Sequence, residues 1–207
     1  GEDETITTLN DVASITGVNT SIAIGHDGFP VISYQRFTSP VAGELRVAKC
    51  NDPSCVGGNE TITLLDTTGG PSFESTSLVL GVDGNPVIAY MDIAAGAITI
   101  AKCNDPACTG DDESFTVVDF STLNTRLSLV LAPDGNPLIS YKGSLKLARC
   151  HDDACAGEEQ SIAIVDSEAQ ALSSSIAMGA DGLPIISYFD EFTGALRIVH
   201  CGTLECH

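Results

Sequence analysis

A phrase of the form D-G-x-P-x-I-[SA]-Y occurs four times in 207 residues: DGFPVISY from Asp27, DGNPVIAY from Asp83, DGNPLISY from Asp134 and DGLPIISY from Asp181. Each copy is followed by a Gly, an apolar run and a C-x4-C pair: Cys50/Cys55, Cys103/Cys108, Cys150/Cys155 and Cys201/Cys206. The Asp-Gly spacings are 56, 51 and 47 residues, the length of one propeller blade. A single repeat of this size cannot bury its own apolar faces and needs its neighbours. The chain therefore reads as one domain, with repeats at about 11–66, 67–119, 120–166 and 167–206.

Aligning the copies on Asp-Gly and on Cys yields four strand candidates per repeat. The first strands are Ser21 to Ile24, Ser77 to Leu80, Ser128 to Leu131 and Ser175 to Met178. The pairs Asp27-Gly28, Asp83-Gly84, Asp134-Gly135 and Asp181-Gly182 then supply tight turns, Gly taking the positive φ. The second strand opens on Pro, at a strand start where no ladder donor is lost, and ends on Tyr34, Tyr90, Tyr141 or Tyr188. The third, such as Ala97 to Cys103, alternates as a half-buried strand does. The fourth is ETITLLD (Glu60 to Asp66), ESFTVVD (Glu113 to Asp119) or QSIAIVD (Gln160 to Asp166).

A further relative of that strand, ETITTLN at Glu4 to Asn10, precedes the first repeat, and the last repeat has none after Cys206. The count is sixteen strands, or four blades of four. If residues 4–10 pair with the third strand of the last repeat, the ring closes and no edge is left open to aggregation. The expectation is an all-β fold: a closed four-bladed β-propeller, four antiparallel strands per blade, with the N-terminal strand completing the last blade. A permuted β-sandwich or barrel is the structural alternative.

The phrase S-[IL]-x-[ILM]-x-x-D-G-x-P-x-I-[SA]-Y resembles repeats of secreted bacterial and archaeal β-propellers. The resemblance covers nearly the whole chain and implies the fold without implying an activity. A hemopexin-type four-bladed propeller differs, having a single disulfide between first and last blades where this chain has a pair in every repeat.

Spacing alone allows the cysteines to be metal ligands or disulfides. Zinc sites bring two such pairs together, whereas these lie one per blade around a ring, so local disulfides are the reading adopted. They point to an oxidising compartment, extracellular or at the cell surface. A start at Gly-Glu-Asp-Glu, without Met, fits a mature form after signal-peptide removal. No apolar run approaches the roughly 18 residues of a membrane span.

Nine Lys and Arg against 28 Asp and Glu leave a net charge of −19, which opposes binding to nucleic acid or to an anionic membrane. No cofactor is called for, although calcium is an ion that such a surface would attract. The turn aspartates offer one carboxylate per loop, unlike a multi-acid calcium loop, and turn chemistry accounts for them. The acid runs Asp111-Asp112-Glu113 and Asp152-Asp153 read as solvated loops. The four tyrosines read as packing between neighbouring blades, with a fourfold ligand ring as the sharper alternative. Lys49, Lys102, Arg149 and His200 form a column before the first Cys of each pair, expected to pair with the fourth-strand acids Glu60 and Glu113.

His26, His151, His200 and His207 share no structural position, no catalytic motif occurs and no cysteine is left over, so an enzyme is not indicated. Asn19 and Asn59 match the glycosylation pattern. With no Trp and few aromatics, glycan binding is a weaker reading, though not one to discard. The segment from Gln35 to Gly43 is expected to be a long loop carrying Phe37, Pro40 and Val41, an apolar group suited to contact another copy. The favoured function is an extracellular structural subunit that self-associates into a filament, tube or coat. The alternative is a monomeric ligand-binding or adhesive module for glycan, peptide or surface polymer.

Overall fold

The computed structural model describes residues 5–9, 15–39, 42–67, 75–120, 126–157 and 160–207. The chain is all-β and every strand pairing is antiparallel. Blade 1 is the sheet β1 (Ile15–Ile24), β2 (Pro30–Ser39), β3 (Ala42–Lys49) and β4 (Thr61–Thr67), in that spatial order. Blade 2 repeats it with β5 (Thr76–Leu80), β6 (Pro86–Asp92), β7 (Ala97–Lys102) and β8 (Ser114–Phe120). Blade 3 begins with β9 (Leu127–Leu131), β10 (Pro137–Tyr141) and β11 (Gly143–Arg149).

Its fourth strand is the first half of β12 (Ser161–Met178), whose second half is the first strand of blade 4. β13 (Pro184–Asp190) and β14 (Ala195–His200) follow, so blades 3 and 4 form one six-stranded sheet. Two strands expected to be separate are thus continuous. Among the described residues β14 pairs only with β13, and residues 5–9 pair with no strand.

The Asp-Gly turns take the form the sequence implies. In blade 2, Gly81 N–H donates to Asn85 O at 2.8 Å and Gly84 N–H to Gly81 O at 2.9 Å, with Gly84 at φ +80°. This is a turn followed by a left-handed glycine, a common short hairpin connection. The segment Gln35 to Gly43 differs from expectation. β2 runs on to Ser39 and pairs with β3 as far as Ala42, so most of it is hairpin. Pairing satisfies backbone groups that a loop would leave to water. Phe37 lies in that hairpin opposite Gly43, half-buried, while Pro40 and Val41 lie outside the described residues.

Apolar side chains meet between blades, which places the core at three junctions. Val31, Leu45 and Val47 of blade 1 pack on Leu78, Ile88 and Tyr90 of blade 2. Ile98 and Ile100 meet Leu129, Ile139 and Tyr141, and Leu145 and Leu147 meet Ile176, Ile186 and Tyr188. β1, β5, β9 and the second half of β12 adjoin in sequence, forming the inner edge of the array.

All four cysteine pairs are local disulfides: Cys50–Cys55, Cys103–Cys108, Cys150–Cys155 and Cys201–Cys206. The second cysteine of each is left-handed, at φ between +52° and +60°. That backbone is uncommon outside glycine, and each bridge pins its small turn in it. The four disulfides mark an oxidising compartment.

Candidate functional site

Each blade-to-blade junction uses the same hydrogen bonds. The first-strand serine accepts the amide of the residue after the next blade's first-strand serine: Ser21 Oγ from Leu78 at 3.0 Å, Ser77 Oγ from Leu129 at 3.0 Å and Ser128 Oγ from Ile176 at 3.3 Å. At the outer side each tyrosine reaches back one blade, to the aspartate ending the previous fourth strand. Tyr90 donates to Asp66 at 2.6 Å, Tyr141 to Asp119 at 2.8 Å and Tyr188 to Asp166 at 2.6 Å. Burial, then the adjoining carboxylate, pushes all three phenols up. Asn10, the sequence equivalent of these aspartates for Tyr34, lies outside the described residues.

Asp66, Asp119 and Asp166 do not stand out from sequence as site residues, yet their signal is present as the last letter of each fourth-strand phrase. The cation column also differs from expectation. Lys49, Lys102, Arg149 and His200 pair with the turn aspartates of their own blades: Asp27 at 2.7 Å, Asp83 at 2.5 Å, Asp134 at 2.9 Å and Asp181 at 2.8 Å. Oε1 of Glu60 and of Glu113, the partners expected, is instead buried with no hydrogen bond. Neighbouring strands explain it, since the end of the third strand lies beside the start of the second and its Asp-Gly turn.

Each turn aspartate has a second role. Oδ1 accepts the amide two residues on, at Phe29, Asn85, Asn136 and Leu183. Asp27 is held below the ordinary carboxylate range chiefly by Lys49, and Asp181 chiefly by the Leu183 amide. At Asp83 and Asp134 burial pushes upward, but the cation and the amide together outweigh it. These carboxylates are committed to structure. No group of three or more His, Cys, Asp or Glu side chains placed to hold a metal occurs among the described residues. Asn19 donates its side-chain amide to Gln35 at 2.8 Å, and Asn59 is exposed.

What stands out chemically is the pair of ends. Ile22, the counterpart of Leu78, Leu129 and Ile176, is 61% exposed where those are 5%, 5% and 7%. Ile24 is exposed beside it. On blade 4, Leu196 and Ile198 are 81% and 73% exposed, whereas Leu45, Val47, Ile98, Ile100, Leu145 and Leu147 are all at 0–1%. Phe189, Phe192, Ser175 and Ala177 are exposed on the same blade. Blade 1 thus leaves exposed the positions that Leu78, Leu129 and Ile176 bury against a preceding blade, and blade 4 those that Leu45, Ile98 and Leu145 bury against a following one. Among the described residues no contact comparable to the three junctions joins β1 to β12, β13 or β14.

Residues 5–9 lie against the blade 1 end. Thr7 Oγ1 donates to the Ser54 carbonyl at 3.2 Å, as Thr63 of β4 donates to Ala107 of blade 2 at 2.8 Å. Thr7 and Thr63 are equivalent in sequence, and so are Ser54 and Ala107. The segment therefore sits where the fourth strand of a preceding blade belongs. Between it and blade 1 is an apolar gap of about 450 Å³ bounded by Leu9, Ile22, Ile32 and Tyr34. A second groove, about 560 Å³, runs beside the middle of β12 and is lined by Lys142, Glu168, Gln170 and Glu191.

No family model matches the chain, and no curated protein matches it by sequence. Solved structures do resemble it. A protein of unknown function from Dyadobacter fermentans DSM 18053 superposes with a TM-score of 0.61 at 13% identity, over 86% of this chain and 50% of that one. A GH43 β-1,3-galactosidase solved with galactodeoxynojirimycin gives 0.52 at 11%, over 88% and 70%. A bifunctional GH43-CE protein from Bacteroides eggerthii gives 0.50 at 11%, over 87% and 24%. The chain spans half the length of the first of these. At such identities the likeness is one of fold: the chain is an all-β, disulfide-bonded array of antiparallel blades, similar to β-propellers of the GH43 type.

Proposed function

We propose that the chain is a non-enzymatic, extracellular structural subunit, a stapled blade array that self-associates into a filament, tube or surface coat. The observation that carries it is the pair of uncovered, complementary end faces. Apolar surface of this extent on a secreted chain is a contact surface. A contact between two different faces is heterologous, so repetition builds a ring or an open fibre.

The GH43 neighbours include a galactosidase, and glycoside hydrolysis needs two carboxylates set across a bound sugar. Here the carboxylates of the turns are bound to Lys, Arg or His side chains, and Glu168 and Glu191, which line the second groove, are both exposed to solvent. That groove favours the second reading, a monomeric adhesive module for a glycan, peptide or surface polymer. Negative-stain electron microscopy of unreduced protein over a concentration series separates the two. Ordered filaments, tubes or closed multi-copy rings are the expected result; single-chain particles at every concentration would overturn it in favour of the adhesive module.

A further inference from the structure

We infer that the column Lys49, Lys102, Arg149 and His200 guards the Asp-Gly turns against backbone isomerisation, and that Asp181–Gly182, whose guard is an imidazole, is the site where isoaspartate forms. This holds for a single chain, whether assembled or not.

Asp-Gly is the dipeptide most open to this reaction, because the following residue has no side chain to shield its amide. The Gly nitrogen attacks the Asp Cγ, a C–N bond forms, and a carboxyl oxygen leaves as water with the acid proton and the amide proton. Water then reopens the five-membered succinimide at either carbonyl. Opening at the α-carbonyl leaves the chain running through the aspartate side chain. Water leaves and returns, so the mass is unchanged and no other reactant is needed. The step asks two things of the aspartate: a neutral carboxyl, since a carboxylate oxygen leaves poorly, and freedom to swing Cγ onto the next nitrogen.

The turns withhold both. Oδ1 accepts the amide two residues on, at 3.0 Å from Phe29 and Asn85 and 3.1 Å from Asn136 and Leu183. The Gly N–H is itself engaged with the carbonyl three residues back, at 2.9 Å for Gly28, Gly84 and Gly135 and 3.0 Å for Gly182. Oδ2 lies on the column, within 2.5–2.9 Å in every blade. Access of water is also alike, the side chains of Asp27, Asp83, Asp134 and Asp181 being 47%, 41%, 38% and 46% exposed.

One lock differs. Lys and Arg side chains stay charged across the neutral range, and a cation in contact disfavours a proton on the carboxylate it touches. His200 is charged only when protonated, and a neutral imidazole gives Oδ2 an N–H donor without a counter-charge. Among the described residues His200 and Asp181 form no ion pair except with each other. The Leu183 amide is the leading cause that holds Asp181 low, where for Asp27 it is Lys49.

Room around the turn ranks the sites differently, so the two causes separate. A Cβ on Gly84 would meet His26 at 2.7 Å, one on Gly135 would meet Val82 at 2.7 Å and one on Gly182 would meet Pro133 at 3.4 Å, whereas Gly28 has nothing within 4 Å. Freedom of the turn singles out Asp27; the guard singles out Asp181. Isomerisation at Asp181 adds a backbone atom to the turn that starts the β12–β13 register at Met178 and Pro184, so blade 4 is where the folded chain ages first.

The disulfide-intact protein, held warm for weeks below its melting transition at about pH 8, where imidazoles are largely uncharged, tests this. Isoaspartate is counted turn by turn by peptide mapping with electron-transfer fragmentation. Accumulation at Asp181 several-fold above each of the other three turns is expected. His200→Lys should bring Asp181 down to their level, and Lys49→His should raise Asp27 to that of Asp181, while Lys49→Arg leaves Asp27 low; melting curves confirm that each variant is folded. The reduced, unfolded chain should isomerise at all four sites at similar rates. Equal accumulation at the four folded turns, the highest accumulation at Asp27, none at any turn, or a His200→Lys chain that ages as before would each overturn the inference.

Discussion

Lys102 is buried with its ammonium shared between Asp83 at 2.5 Å and the Cys103 carbonyl at 3.0 Å. An ammonium in such a place needs its counter-charge, so Asp83→Ala is expected to lower stability by about 2 kcal/mol, read from urea unfolding. An unchanged midpoint would show that water replaces the carboxylate. The same pairs set the acid response. The folded pKa of Asp27, Asp83, Asp134 and Asp181 lies below that of the unfolded chain. Their contribution is therefore fully present above about pH 4 and is lost as pH falls through the folded values. A melting temperature that held level from pH 6 down to pH 2 would refute this. The cross-blade phenols offer a third check. Tyr90→Phe strips Asp66 of a donor at a part-buried site and is expected to cost about 2 kcal/mol, with the loss falling on cohesion between blades 1 and 2.

The elements are legible in the sequence to an uneven degree. Strands and turns follow from alternation and from Asp-Gly, because both are local signals carried by neighbours in the chain. The cysteine pairs are legible for the same reason, five residues apart in every blade. Each closes a loop of about six residues, so replacing Cys103 and Cys108 together by Ser should cost about 2 kcal/mol in thermal or urea melts. What depends on lateral partners is not legible. Sequence points the Lys column to the wrong acids because strand adjacency, not sequence proximity, decides which carboxylate meets it. The hairpin of Gln35 to Ser39 reads as a loop because its polar residues carry no alternation, yet β3 offers them a ladder. The exposed ends are invisible for a related reason: Ile22 and Leu196 look like every other core residue in their columns until the missing neighbour is seen.

For the whole molecule, the −19 charge and the apolar ends pull against each other. Like-charged copies repel through a range set by salt, while the end-to-end contact proposed above would be short-ranged and mostly apolar. Association should therefore strengthen as sodium chloride rises from about 10 mM to about 500 mM, where the Debye length falls from roughly 30 Å to a few Å. Sedimentation velocity across that series checks it, and assemblies that dissolve with salt would indicate that ion pairs hold them instead.

β12 sets a mechanical limit on such an assembly. Its 18 residues pass without interruption from the outside of blade 3 to the inside of blade 4. A load applied at β14 would be handed along one covalent strand into both blades, in shear against β11 on one side and β13 on the other. The last two blades should then give way together, as a single event in a pulling experiment and as a single protected block in hydrogen exchange. Blades 1 and 2, each a separate four-stranded sheet, would yield one at a time. Blades 3 and 4, joined in one sheet through β12, would then be the tougher end of the array.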